Sequence, residues 1–361
     1  MTSAADTSTT ANEVASAATA QTMGWEVADE LEREKPTVLE RLRPEKRHIL
    51  AAACGLAAFF VVFLIGCWLA GNPFEATRRI ASAAVSAQGW AGSDSWGILW
   101  SVVAIAVVLE FLDASAGMGY GTAITPLLLV MGFDPIQIIP AVMIQQAIAG
   151  LLGAFLHDEF GNVQWRLRPM SETVKLWLTI AVVGCLAVAF SVTAVYGLLK
   201  PAKVWIKLYV AILLVGMGII SLVKAPRKRI YRRRRMFFFG ALAAFNKGVG
   251  GGGYGPVVTI GGMLSGVPVK GMMAVTALAE GSVCVCSIVV WLAMLSQGVT
   301  IDFVLLPSML LGSMIAAVAA PYATRVLPER IWKVLVPVYC CILATYCLSK
   351  VIPQVLTRLA G

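Results

Sequence analysis

Gly117-Met-Gly-Tyr-Gly121 and Gly251-Gly-Gly-Tyr-Gly255 are one signal written twice, once in each half of a very apolar chain. A glycine cluster of this kind interrupts a helix and lays its backbone bare. In a bilayer such irregular segments survive only where protein buries them or a cavity hydrates them. Two interruptions at corresponding positions predict a duplicated membrane module whose breaks lie near a binding centre.

Composition agrees with a membrane chain. Of 361 residues, 58% are hydrophobic and 14% charged, whereas soluble domains average about 25% charged. The net charge of +9 does not point to nucleic acid. Eight of the twelve residues 224–235 are Lys or Arg, wedged between two apolar runs, which is the pattern of a cytoplasmic loop. Eight cysteines all lie in apolar stretches, with no zinc or redox spacing. With only His48 and His157 available, no metal site and no cofactor is expected. No paired Asp and no Ser/His pair appears, so an enzyme is not expected either.

The runs divide the chain. Residues 1–48 read as a cytoplasmic tail, disordered at first, then charged from residue 24. Trp25, Val27 and Leu31 would form the apolar side of a short interfacial helix. Residues 49–96 hold one extra span and an external loop. Residues 97–223 and 236–361 form two repeats, separated by the basic loop 224–235. The basic cluster before the first span puts the N-terminus in the cytoplasm of a multi-pass cytoplasmic-membrane protein. Counting spans back from the basic loop, the first glycine hairpin enters from outside and the second from inside. The fold expected is all-α and polytopic: an inverted 5+5 helix repeat with two glycine-rich broken-helix hairpins, plus one N-terminal span.

The repeat extends beyond the glycines. At an offset of 134, Phe111 matches Phe245, Tyr120 matches Tyr254, Thr125 matches Thr259 and Gly132 matches Gly266. With one residue deleted, Pro135 meets Pro268, and Pro201-Ala-Lys-Val-Trp205 is echoed by Pro328-Glu-Arg-Ile-Trp332.

The paired Gly-x-Gly-Tyr-Gly hairpins, each followed by a Pro-led helix, resemble the sulfite exporter TauE/SafE family of membrane permeases over about residues 97–352. The resemblance implies a multi-pass carrier of sulfite, sulfoacetate or other organosulfonates. Sulfite and sulfonates offer three oxygens, suited to the exposed amides and positive dipole ends of helices that start inside a membrane. Gly117, Gly119, Tyr120, Gly121, Thr122, Gly251, Gly253, Tyr254 and Gly255 are therefore candidate substrate ligands. Close helix packing would also use such glycines, and the tyrosines would also fill gaps.

Four ionisable residues lie deep in apolar runs: Glu110, Asp113, Lys247 and Glu280. Such residues face a cavity or a partner. Lys247 and Asp113 hold matching positions, four before Gly251 and Gly117. Either they form a salt bridge across the repeat interface, or Lys247 contacts the anion while Asp113 or Glu110 exchanges a proton. Glu280 is the preferred proton-coupling group, or else a hydrogen-bonding link between helices. Gln145 and Gln146, in the matching region of the first copy, would donate to an oxyanion or join helices. The expected partners are a small anion and the lipid bilayer. Carriage of another small anion and an ion channel remain as alternatives.

Overall fold

A computed structural model describes residues 23–70, 98–117, 119–131, 133, 135–194, 231–250, 252–295 and 303–360, with scattered positions between 208 and 223. The external loop expected before residue 97, Gly251 and more than half of residues 203–223, at the end of the first repeat, lie outside the described residues, as does the first part of the basic loop.

Every element longer than a bridge is helical among the described residues. In chain order these are α1 (Val27–Glu34), α2 (Val38–Leu42), α3 (Lys46–Leu69), α4 (Trp100–Ala116), α5 (Tyr120–Val130) and α6 (Pro135–Glu159). There follow α7 (Glu172–Val192), α8 (Arg233–Gly250), α9 (Tyr254–Leu264), α10 (Val269–Leu295), α11 (Leu306–Val326) and α12 (Glu329–Ala360). Six of these are long and apolar enough to cross a membrane: α3, α6, α7, α10, α11 and α12. The chain is therefore a multi-pass membrane protein.

Local sequence sets the helix ends. Ser171 caps α7 by accepting from Val174 N–H, and Pro307 opens α11. Gly117 closes α4 in the left-handed conformation at φ 68°, and Gly253 opens α9 at φ 83°. A residue with a Cβ adopts that region only at a cost. The first helix of the second repeat starts inside the stretch expected as basic loop. α8 begins at Arg233 and continues through Lys247 to Gly250, because long arginine side chains at a helix end can reach out of the bilayer.

Two pairs of helices run side by side in the same direction. Near the start of α4, Leu99 N–H donates to Ser308 Oγ at 3.0 Å, and near its end Thr324 Oγ1 donates to Ser115 O at 3.2 Å. α4 thus lies along α11. In the same way α8 lies along α7, with Gly240 against Ile180 and Gly248 against Ser191. Between the pairs, α6 crosses α10 where Gly150 meets Gly281, with no room for a Cβ on Gly150. The start of α8 and the end of α9 share one end of the bundle, because Arg232 N–H donates to Ser265 O at 2.9 Å. α3 is peripheral: Phe59 is wholly buried, while Phe60, Leu64 and Trp68 are exposed to the surroundings that lipid would fill.

From Met23 onward the segment before α3 straps across the arginine-bearing end of the bundle, so protein covers part of the apolar side that was expected to face the bilayer surface. Trp25 is buried against Tyr231 and Gly271. Thr173 Oγ1 donates to Met23 O, and Gln164 N–H to Gly24 O. Glu32 pairs with Lys270 at 2.8 Å and accepts from Glu329 N–H. An apolar helix face does not distinguish lipid from protein, and here protein covers part of it. Removing the Trp25 anchor should release the strap. Trp25→Ala is expected to expose Arg33 and Arg41 to trypsin in detergent micelles much faster than in the parent, with the rest of the chain still resistant. Unchanged cleavage at those arginines would show that Trp25 does not hold it.

Candidate functional site

The two helix breaks meet in the middle of the molecule. Gly253 N–H donates to Thr122 Oγ1 at 2.7 Å, and Thr259 Oγ1 donates to Gly117 O at 2.7 Å. A Cβ on Gly252 would fall 2.9 Å from Gly121 O. Thr122, a candidate substrate ligand, thus accepts from the backbone of the opposite break. Gly255 and Tyr254 are buried beside this contact. Gly253→Ala forces a left-handed alanine at the N-terminus of α9, which costs about 1–2 kcal/mol. A lowered thermal midpoint in detergent is the expected result.

Both breaks are partly filled by the protein's own groups. At the first, Asp113 Oδ1 accepts from Tyr120 N–H at 3.2 Å. The first turn of a helix favours a carboxyl oxygen there, so this amide cluster is already occupied by the protein's own carboxyl group. At the second, the Gly253 amide is taken by Thr122. Gly119 (φ 123°) carries the chain between α4 and α5.

Lys247 sits in the last turn of α8, wholly buried. Its Nζ lies 2.5 Å from Glu280 Oε1 and 2.7 Å from Gln146 Oε1. Gln146 Nε2 in turn donates to the same Glu280 oxygen at 3.1 Å. The lysine also stands 5.4 Å from the centre of the Tyr254 ring, a cation–π distance. The salt bridge considered between Lys247 and Asp113 is not the one formed. The counter-ion is Glu280, and Asp113 is held by a backbone amide.

A second polar group adjoins the first. Gln145 Nε2 donates to Glu110 Oε2 at 2.6 Å and lies 2.9 Å from Ser313 Oγ. Adjacent residues on α6 project to different sides, so Gln145 serves α4 and α11 while Gln146 serves α8 and α10. Glu110, Asp113 and Glu280 all line one cavity, along with Gln146, Gly117, Thr276 and His157. Its volume, measured as the space open to the centre of a water molecule, is about 20 Å³, room for about one water. Among the described residues neither Glu110 nor Asp113 has a cationic partner within salt-bridge distance.

Sequence reading missed several polar neighbours. Ser313 extends the Gln145 contact. Thr259, known only as a repeat match, bonds Gly117 and lies 3.0 Å from Thr276. Asn246 is buried with neither amide atom bonded. A buried Asn beside a buried Lys was the available signal for it. His157 carried no motif at all.

A family model described as sulfite exporter TauE/SafE matches residues 102–347. The chain belongs to this family. It is accordingly a membrane transporter, not an enzyme. The match begins inside α4 and ends inside α12, so the strap and α3 lie outside the TauE/SafE region. The chain is also similar to the probable membrane transporter protein YtnM of Bacillus subtilis (strain 168), at 27% identity over 161 residues. That stretch covers 43% of this chain and 51% of YtnM, about half the length of that relative. No solved structure matches the chain.

Proposed function

We propose that this TauE/SafE transporter is a secondary carrier of a small sulfur oxyanion, sulfite or an organosulfonate, working by alternating access around Lys247. The observation that carries the reading is a wholly buried ammonium between the two helix breaks, bound to one carboxylate and one amide. A cation in that place, with replaceable partners, is what an oxyanion needs.

The incoming anion displaces Glu280 and Gln146 from Lys247. Glu280 then loses its counter-ion, and a lone carboxylate in a bilayer interior is costly. Taking up a proton removes that cost. Anion and proton therefore move together. Gln146 Nε2 and the Tyr254 edge are placed to hold the remaining anion oxygens. Sulfite has four non-hydrogen atoms, more than a cavity for about one water accepts, so this conformation is a closed one and the helices must part to load it.

The inverted-repeat architecture belongs to this reading. It is supported by the first helix of each repeat lying along the fourth of the other, α4 on α11 and α8 on α7. It is supported too by Gln146 of α6 and Glu280 of α10 meeting at the centre, one residue out of the register that Pro135 and Pro268 set. The Arg232–Ser265 contact supports a hairpin that enters and leaves at one end. That end carries the arginines, and their abundance supports a cytoplasmic location for it and for the N-terminal strap.

The test is a ligand panel. Purified protein in detergent is heated with sulfite, sulfate, thiosulfate, organosulfonates and carboxylates. A sulfur oxyanion should raise the thermal midpoint in a saturable manner, and the rise should vanish in Lys247→Gln. A panel without any shift counts against a resident anion site. A shift from carboxylates alone moves the substrate to another anion class.

A further inference from the structure

The cavity has a second end that anion binding does not use. His157, in the last turn of α6, is wholly buried and lines it. Its Nδ1 lies 3.0 Å from Asn162 Nδ2, and the same nitrogen lies 2.8 Å from Pro321 O. A proline carbonyl only accepts, so the NH₂ end of Asn162 is fixed there. Its second hydrogen points at Nδ1. Nδ1 is therefore an acceptor, and the ring proton resides on Nε2. Nε2 meets no acceptor in close hydrogen-bond geometry among the described residues, its nearest being the Ala114 backbone. It is a buried donor on a cavity wall shared with Ala114, Gly153 and three carboxyl groups.

The charged groups around it are unequal. From α4 it faces Glu110 and Asp113, and from α10 Glu280. On the outer side, Arg325 of α11 bonds Phe160 O, and His48 of α3 stacks edge-on against the Phe160 ring. Asp158 and Glu159 follow on its own helix, with Asp158 held by Trp165 N–H. The cavity side thus combines carboxyl oxygens with the Nε2–H donor, the Gln146 amide and the Thr276 hydroxyl. A water fits between them: it accepts from Nε2–H and donates to a carboxyl oxygen.

We propose that His157 is a positioning residue for the proton path. It holds a water that links the arginine-bearing end of the bundle to Glu110, Asp113 and Glu280. The proton moves through water to a carboxylate oxygen, and Asn162 keeps the ring a donor throughout, so His157 orients the water and does not itself carry the charge. This rests on the proton-coupled oxyanion reading above. Its own contribution is the route.

Two variants test it in proteoliposomes with labelled sulfite. His157→Leu removes the donor at similar volume. His157→Gln keeps an amide donor. Uptake driven by a pH gradient requires net proton movement, whereas sulfite-for-sulfite exchange at equal pH does not. His157→Leu should lower gradient-driven uptake by about tenfold or more and leave exchange unchanged, and His157→Gln should restore uptake. Gly153→Ala supplies a check that does not depend on the histidine. A Cβ there meets nothing nearer than Ala277 Cβ at 3.8 Å, so the helix tolerates it while the water path narrows, and gradient-driven uptake should slow. Gradient-driven uptake at the parental rate in both His157→Leu and Gly153→Ala overturns the proposal. So does an equal fall of exchange and uptake in His157→Leu without rescue by His157→Gln. Parental protein that moves no sulfite in either assay overturns the oxyanion reading itself.

Discussion

Lys247→Gln is expected to reduce anion flux in proteoliposomes by roughly 100-fold or more, which corresponds to about 2.7 kcal/mol of lost anion stabilisation. Glutamine keeps a donor at the end of α8, so Gln146 and Glu280 retain a hydrogen-bonding partner and the helix contacts survive. What disappears is the positive charge between the two breaks. Among the described residues, the cavity beside it is otherwise lined by three carboxyl groups, one imidazole and uncharged side chains. Nothing there replaces an ammonium. The accompanying observation is an unchanged elution profile with a lowered thermal midpoint, because Glu280 loses its buried counter-ion. Parental flux with an intact fold would remove Lys247 from the transport site.

Glu280→Leu has the largest expected effect on stability. It leaves Lys247 in the interior with Gln146 Oε1 and the Cys284 thiol as its remaining partners. Breaking one side of a buried ion pair costs roughly 3–5 kcal/mol, because the remaining charge keeps its desolvation penalty without its partner. Removing both charges is a different matter. Well-packed apolar replacements for a buried pair are often neutral or stabilising. The Lys247→Met, Glu280→Leu double variant is therefore expected to recover most of the stability lost in the single variant. It should remain inert in transport. Unfolding in detergent, followed by tryptophan fluorescence, reads both. A Glu280→Leu protein as stable as the parent would show that the pair is not the lysine's principal support. A double variant that transports would show that neither charge handles the anion.

Much of this arrangement is visible in the chain alone. Apolar runs mark the helices, and the glycine clusters mark both breaks, because only such residues tolerate the left-handed backbone at Gly117 and Gly253. The deep charges and the two glutamines are singled out by their cost in a bilayer, and the structure brings Glu110, Asp113, Gln145, Gln146, Lys247 and Glu280 into adjoining contacts. The choice of partner is not visible. Lys247 and Asp113 hold matching sequence positions, yet matching positions in sequence do not say which groups touch. Gln146 and Glu280 meet between α6 and α10, and Lys247 joins them from α8. The strap is only partly legible for a similar reason: an apolar stripe records what must be covered, not what covers it. His157 has no periodicity or motif around it. Its meaning comes from a cavity formed by helices distant in sequence.

The most direct measurement follows anion and proton together. Protein reconstituted into liposomes with a trapped pH dye receives a gradient of labelled sulfite, and then of sulfoacetate, whose sulfonate does not titrate near neutral pH. Protein-free liposomes give the baseline. The arrangement of Lys247 and Glu280 predicts saturable entry of at least one of these anions, accompanied by a fall in internal pH, with both signals lost in Lys247→Gln. Anion entry without any pH change, entry that rises without saturation as an ohmic current, or signals that persist in Lys247→Gln would contradict it.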